Sequence, residues 1–268
     1  MPRQLGLEWL TVLGMRPADH AGLAADLGCS AISTGLTPLL LNPHGYPAWS
    51  LRDDADLRRE FKAVLADRGI AISVGEGLNV SADADVRERA GDLDMLADLG
   101  ARAISAADMG VERGQALDQL ALLAEMSQAR GMDFLVEFCP AFTLRKLDDA
   151  LEAVRFIGEG QARVLIDAMH FFRSGGTVPQ IAALDASLIG HVQLCDAERK
   201  GKGDYLQETI TGRLVPGQGD LPLRQFVDAL PRGCMLGLKV PMLEAAKADR
   251  PAQDYVAEIV TATRSLLA

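Results

Sequence analysis

The sequence lacks the features of a membrane-spanning or secreted protein. Its 268 residues contain no run of about 18 apolar residues without a charge, which a membrane-spanning helix would need. The four cysteines lie singly, with no CxxC pair, in a chain that is too long to need disulfides. The first residues show no charged segment followed by an apolar one, as an export signal would. We therefore expect a cytoplasmic protein with no membrane partner.

Positive charge is also scarce. Lys and Arg total 27 against 37 Asp and Glu, which gives a formal net charge of -10. A nucleic-acid binder needs clustered Lys and Arg, so we expect no nucleic-acid partner. The turn after the first predicted strand reads LGMRPAD and not a glycine-rich phosphate loop, so we expect no nucleotide cofactor.

Short apolar runs alternate with longer amphipathic segments along the whole chain. This alternation is typical of βα units with a parallel sheet, and eight such units in about 250 residues predict one (β/α)8 TIM barrel, an α/β fold. We treat residues 1–268 as a single domain. The predicted strands cover residues 5–12, 31–36, 70–75, 102–106, 133–138, 163–167, 189–194 and 234–240.

Amphipathic segments between these runs predict the helices. In 53–68, Leu57, Phe61, Val64 and Leu65 recur at helical spacing. The other predicted helices lie near 17–27, 84–99, 112–130, 143–159, 178–185, 222–230 and 252–267.

Two connections are longer than the others, residues 37–52 and 195–221. Both follow strands, and the loops that follow the strands of a TIM barrel lie on its catalytic face. We therefore expect these two loops to cover a substrate.

Four polar residues lie near the C-terminal ends of predicted strands five to eight. They are Glu137, Asp167, Gln193 and Lys239. Strand interiors of a barrel are apolar, so polar side chains at these ends are expected to point into the catalytic end of the barrel.

The sequence around these positions resembles the xylose isomerase-like sugar isomerases and epimerases, a family that includes inosose dehydratase and 3-dehydroshikimate dehydratase. The resemblance covers most of the chain. It is densest in VEF (136–138), IDAMHFFRSGG (166–176), HVQLCDA (191–197), RLVPGQGDLPL (213–223) and the strand around Lys239.

The resemblance implies a divalent metal such as Mg2+, Mn2+ or Co2+. Its ligands would be Glu137, Asp167 and Gln193, and a fourth, a glutamate, would stand where this sequence has Lys239. A protonated lysine has no lone pair for a metal and repels it. Two alternatives follow: a weakly held, hydrated metal, or an ammonium that lies between the carboxylates and makes the protein metal-independent. In a third role, Lys239 would form a Schiff base, but nearby carboxylates would keep it protonated.

Other residues are candidates for the site. The DAMH context implies that His170 is the acid and base, while Arg213 would clamp an anionic substrate group, if it is not a surface arginine. His191 shares the strand face of Gln193, where it is either near the substrate or a core histidine. Four more candidates for substrate contact are His44, Glu76, Tyr205 and Glu208. His20 looks like a surface helix residue, and Gln218 stands where many relatives have glutamate.

Together these features predict an isomerase or epimerase that acts on a small polyhydroxylated carbonyl compound, sugar or sugar phosphate. His170, Lys239 and Glu137 would be its catalytic residues, and the first step would be removal of the proton next to the carbonyl. One alternative is a lyase that dehydrates a cyclic keto-polyol or keto-acid, which Gln193 favours. The other is a metal-free barrel that binds a small ligand without catalysis, which Lys239 and Gln218 favour. The partner is a small molecule, and a homodimer is left open.

Overall fold

Eight parallel strands close into a barrel. The computed structural model describes residues 3–39, 41–158, 160–201 and 203–268. Neighbouring strands pair in chain order and the last pairs with the first, which confirms the predicted fold class. The strands are β1 (Leu5–Leu7), β2 (Ala31–Thr34), β3 (Ala71–Gly75), β4 (Ala103–Ala106), β5 (Asp133–Glu137), β6 (Arg163–Asp167), β7 (Ile189–Leu194) and β8 (Leu236–Leu238).

Helices surround this barrel. They are α1 (Pro17–Asp26), α2 (Ala55–Arg68), α3 (Ala90–Asp98), α4 (Arg113–Gln128), α5 (Leu147–Ile157), α6 (Ala168–Arg173), α7 (Val178–Ala183), α8 (Tyr205–Thr211), α9 (Leu223–Ala229), α10 (Leu243–Lys247) and α11 (Ala252–Leu267). The short α6, α8 and α10 were not predicted. None of the described helices is long and apolar enough to cross a membrane.

Helix α2 shows how the sequence sets these elements. The Asp54 side chain accepts a hydrogen bond from the backbone N–H of Leu57 and so caps the first turn. Leu57, Phe61 and Leu65 recur every four residues and are buried against the barrel. The helix ends at Gly69, whose φ of 63° is left-handed and favours glycine.

The first strand is shorter than predicted. Residues 5–12 do not form one strand: β1 ends at Leu7, and Trp9–Val12 form a 3-10 helix. The N–H of Trp9 donates to the Ser33 hydroxyl, and the 3-10 helix that begins at Trp9 ends before Leu13, which has a left-handed φ of 45°. This turn leaves Glu8 at the end of β1.

His20 was predicted to be a surface residue, but it is a buried residue of α1. Its side chain is 1% exposed, and its Nε2 lies 3.1 Å from the backbone oxygen of Leu7. Burial lowers the pKa of His20 from 6.5 to about 4. The native imidazole is therefore neutral between these two pH values, whereas the unfolded one is protonated.

We expect His20 to lower stability in mild acid. Below pH 6.5 the unfolded chain binds a proton that native His20 does not, so stability falls with pH until about pH 4. Between pH 7 and pH 5 this costs about 2 kcal/mol, at about 1.4 kcal/mol per pH unit below 6.5. Urea unfolding at both pH values should show a smaller acid loss for His20→Gln than for the wild type. Equal losses in the two proteins would contradict this assignment.

Candidate active site

The C-terminal ends of the strands form the barrel mouth, where the polar residues of the site meet. Asp167 pairs with Gln193 in the register of β6 and β7, and Gln193 pairs with Gly237 in the register of β7 and β8. Parallel strands in this register bring their C-terminal residues to one end of the barrel. The mouth residues that follow or end the strands are Glu8, Glu76, Glu137, Asp167, Gln193 and Lys239.

Lys239 lies at the centre of this cluster. Its Nζ donates to Gln193 Oε1 at 2.7 Å and to Glu137 Oε1 at 3.1 Å, and it lies 3.6 Å from Asp167 Oδ2. Burial opposes the charged form, but the two carboxylates outweigh it and raise the pKa of Lys239 above its usual value. The amine therefore stays an ammonium at neutral pH, which does not suit a Schiff-base nucleophile.

Arg213 forms a buried ion pair with Asp167. Its Nη1 donates to Asp167 Oδ2 at 2.5 Å and to Cys195 Sγ at 3.1 Å, and its Nε donates to the backbone oxygen of Thr209. Both charged side chains are fully buried. Burial alone would raise the pKa of Asp167, but the Arg213 charge holds it well below its usual range. Arg213 is therefore not a surface arginine, and its charge keeps the Asp167 carboxylate ionised.

His170 lies in α6, directly after β6. Its Nδ1 lies 2.6 Å from the Tyr205 hydroxyl, and its Nε2 lies 3.9 Å from Glu137 Oε1. Its backbone N–H donates to Asp167 Oδ1, which caps α6. Burial, together with the positive charges of Arg213 and Lys239, lowers the pKa of His170 to about 3. The imidazole is therefore neutral at physiological pH, and one of its ring nitrogens carries a lone pair.

Glu8 is the site residue that the sequence analysis missed. Its carboxylate is fully buried and lies 2.9 Å from His191 Nε2, while Gln193 Nε2 donates to its other oxygen at 3.1 Å. Burial would raise the pKa of Glu8, but His191 lowers it to about 2. A Cβ at Gly237 would lie 1.7 Å from Glu8 Oε1, so this contact requires glycine there. The sequence signal that could have identified Glu8 is that it is an acidic residue within the apolar run LGLEWL.

Glu76 follows β3, as the sequence placed it. Burial and the negative charge of Glu8 raise the pKa of Glu76 to about 8, so its carboxyl group is mainly protonated at neutral pH. Its Oε1 is buried and has no hydrogen-bond partner among the residues that the structure describes. A buried polar atom without a partner is costly, and a ligand at the mouth could satisfy it.

The loop after β7 closes over one side of the mouth through α8. Arg173 of α6 forms an ion pair with Glu208 at 2.7 Å, and Tyr205 contacts His170. A backbone bridge between Asp196 and Leu214 joins the two ends of the loop. Tyr205 and Glu208 thus hold α8 against the residues that follow β6.

Two other candidates lie outside this cluster. His44 is half-buried, and its Nε2 lies 3.3 Å from the Tyr255 hydroxyl of α11. Among the described residues, its ring contacts are with Tyr46 and Tyr255. Gln218, which stands where many relatives have glutamate, is exposed and donates to Glu258, so its contact lies outside the cluster around Lys239.

Three side chains of the mouth could offer ligand atoms to a divalent metal. Glu137, Asp167 and His170 each offer one ligand atom, and these atoms lie within 4.8 Å of one another. Lys239 contacts both carboxylates, however, and the oxygen of Gln193 already accepts from its ammonium. A dication among these ligands would lie beside an ammonium and a guanidinium in a buried site, which is electrostatically unfavourable. The arrangement observed does not fit a divalent metal.

Comparison with known proteins agrees with the fold. A family model described as a xylose isomerase-like TIM barrel matches residues 21–251. The curated protein "Putative hydroxypyruvate isomerase" of Streptomyces coelicolor (strain ATCC BAA-471 / A3(2) / M145) is 31% identical over 124 residues, which are 43% of this chain and 40% of that protein. The chain therefore spans about two fifths of the length of the curated relative that it matches.

Solved structures share the fold at low sequence identity. The IOLI protein with a bound zinc atom has a TM-score of 0.81 and 16% identity, covering 98% of each chain. The "probable 3-DHS dehydratase AsbF" of Bacillus anthracis has a TM-score of 0.75 and 16% identity, covering 97% of this chain and 98% of that one. D-Psicose 3-epimerase of Clostridium cellulolyticum H10 has a TM-score of 0.70 and 18% identity, covering 100% and 99%. These likenesses concern the fold alone.

Proposed function

Because the chain belongs to the xylose isomerase-like TIM barrel family, we propose that it is an enzyme that removes the proton next to the carbonyl group of a small polyhydroxylated compound. The observation that carries the proposal is the Lys239 ammonium, which lies within 3.6 Å of Glu137 and Asp167 at the barrel mouth. It is a fixed positive charge where an enolate oxygen needs one.

His170 is the base of this proposal. Its imidazole is neutral, and Nε2 faces Glu137 at the mouth. Burial raises the pKa of Tyr205, so this phenol keeps its proton at neutral pH. When His170 Nδ1–H donates to the phenol oxygen, the lone pair of Nε2 is free to take the substrate proton.

Lys239 stabilises the product of this first step. As the C–H proton moves to His170, the electron pair of that bond forms the enolate, and the negative charge collects on the former carbonyl oxygen. The ammonium is already positioned, so it stabilises this charge without reorganisation. The protonated Glu76 can donate a hydrogen bond to a substrate oxygen through its unpaired end.

The same enolate leads to two reactions. In isomerisation, the hydroxyl proton on the deprotonated carbon moves to the former carbonyl oxygen and His170 returns its proton to the former carbonyl carbon, so the carbonyl group shifts by one carbon. In epimerisation, the deprotonated carbon takes a proton on its opposite face and the original carbonyl group is restored. Loss of a hydroxyl from the adjacent carbon as water gives dehydration. The name of the Streptomyces coelicolor relative favours the isomerase, and the 3-DHS dehydratase shares the fold. We propose the isomerase or epimerase first and the dehydratase as the alternative.

Solvent exchange tests the shared first step. In D2O, the wild type should introduce deuterium next to the carbonyl of at least one of hydroxypyruvate, D-fructose, D-tagatose, inosose and 3-dehydroshikimate. NMR measures the rate of this exchange. His170→Asn should slow this exchange by about 10²–10⁴-fold, because a positioned base contributes that much. Arg199→Ala, which changes an exposed residue after β7, should keep the wild-type rate.

The products separate the remaining alternatives. Deuterium in an unchanged or isomeric carbon skeleton indicates the isomerase or epimerase, whereas an alkene product indicates the dehydratase. Binding of one of these compounds without any exchange would replace the proposal by a barrel that binds a small ligand without catalysis.

A further inference from the structure

A cavity opens at the end of the barrel that is opposite to the mouth. It has a volume of about 710 Å3, and Gln4 and Leu5 at the start of β1 form part of its wall. The strands begin at this end, so the whole barrel separates it from Lys239 and His170. Four arginines line the cavity: Arg3, Arg224, Arg232 and Arg264.

Neutral partners hold two of these guanidinium groups in place. Arg3 donates to the backbone oxygens of Val227, Leu230 and Pro231 at 2.7–2.9 Å. Arg264 donates through one nitrogen, Nη2, to the backbone oxygens of Leu27 and Gly28. Carbonyl oxygens orient a guanidinium but do not cancel its charge, so both groups keep their positive charge toward the cavity.

Close packing holds the Arg264 side chain further. Gly28 has a left-handed φ of 70°, and a Cβ there would lie 2.7 Å from Arg264 Nη2. The guanidinium therefore lies directly on the backbone of the turn after α1. A charge fixed in this way loses little conformational entropy when a ligand binds.

The charge of the cavity is opposite to that of the chain. The net charge of the sequence is -10, yet four guanidinium groups line this wall. Among the lining side chains that the structure describes, Asp228 supplies a negative charge against them. The ion pair between Arg224 and Asp228 is largely exposed, so its attraction is weak and screened.

From these contacts, we propose that the cavity binds a small, multiply charged oxyanion of the phosphate or polycarboxylate type. Arginine forks bind such groups with two parallel hydrogen bonds, and several oriented arginines around one cavity favour a ligand with more than one negative charge. The volume admits a molecule larger than the anionic group itself, as ligand pockets of about 300–1,000 Å3 do. The site does not depend on the function proposed for the mouth.

Calorimetric titration with inorganic phosphate and, separately, with citrate tests this proposal at constant ionic strength. The wild type should bind at least one of them with a dissociation constant below about 10 mM. Arg232→Gln and Arg264→Gln should each weaken binding, and the double variant should weaken it at least about tenfold, the effect of one lost charge-assisted contact of about 1.4 kcal/mol. Arg232 is exposed, so its substitution is expected to leave the fold intact.

A matched control removes the same charge elsewhere. Arg59 is an exposed residue of α2, and the substitution Arg59→Gln should leave binding unchanged. Phosphate binding without citrate binding would identify the ligand as phosphate-like, and the reverse would identify a polycarboxylate. The absence of both, or binding that survives in the double variant, would overturn the proposal. Equal weakening by Arg59→Gln would also overturn it, because the effect would then be one of net charge.

Discussion

Arg213→Ala is expected to destabilise the protein by about 3–5 kcal/mol, the cost of removing one partner of a buried ion pair. The guanidinium and the carboxylate of Asp167 are both fully buried, and the substitution leaves Asp167 with the more distant Lys239 as its cationic partner among the described residues. Domains are stable by about 5–15 kcal/mol, so this is a large fraction of the total. Urea unfolding at pH 7 measures it.

Two comparisons show whether the pair itself is responsible. Arg199→Ala changes an exposed arginine in the loop after β7 and should alter stability by less than about 0.5 kcal/mol. Adding Asp167→Asn to Arg213→Met removes both charges, and the double variant should be less destabilised than the sum of the two single variants. If Arg213→Ala unfolds like the wild type and instead raises KM, Arg213 contacts the substrate and the buried pair contributes little.

Much of this fold could be predicted from periodicity. Each strand except the first ends within two residues of its predicted end, because apolar runs bounded by glycine and polar residues fix the strand positions. The length of the first strand was overestimated, because LGLEWLTV is apolar enough to be taken for one continuous strand. The strand ends at Leu7, and the N–H of Trp9, where a 3-10 helix begins, donates to the Ser33 hydroxyl. Such tertiary contacts leave no periodic signal.

The site was predictable to the extent that it depends on strand ends. Glu137, Asp167, Gln193 and Lys239 meet because parallel strands bring their C-terminal residues to one end of a barrel. Glu8 was missed because its position depends on where β1 stops. Arg213 was predicted as a site residue from the resemblance, but its buried pair with Asp167 depends on the path of the loop after β7, which cannot be read from sequence spacing.

The charges at the mouth form one connected system. Lys239 donates to Gln193 Oε1, so the amide nitrogen of Gln193 is turned toward Glu8, which in turn lies beside His191. The orientation of Gln193 thus depends on the ammonium at one end and on the carboxylate at the other. A change of charge at Lys239 should therefore alter the hydrogen bonds of Gln193 and Glu8, and through them the contact of Glu8 with His191.

Lys239→Glu is expected to create a divalent metal site in place of the ammonium that contacts Glu137 and Asp167. The new carboxylate would join Glu137 and Asp167 in place of the ammonium. Without metal, repulsion among three buried carboxylates should lower the melting temperature by several degrees. Added Mn2+ at about 100 times its dissociation constant should restore about 2.7 kcal/mol, because the ion binds the folded state selectively. Solvent exchange should be lost in the metal-free variant, since the enolate oxygen then lacks the Lys239 ammonium.

Lys239→Met is the matched control, because it removes the ammonium without adding a ligand. It should lose exchange activity like Lys239→Glu, but its melting temperature should not respond to Mn2+. The wild type should keep its activity and melting temperature in the presence of chelator, since Lys239 already neutralises Glu137 and Asp167. Metal analysis decides the question. A stoichiometric, tightly bound ion in the wild-type protein would mean that Lys239 turns away from both carboxylates, and its ammonium could then act only as a proton donor to the substrate.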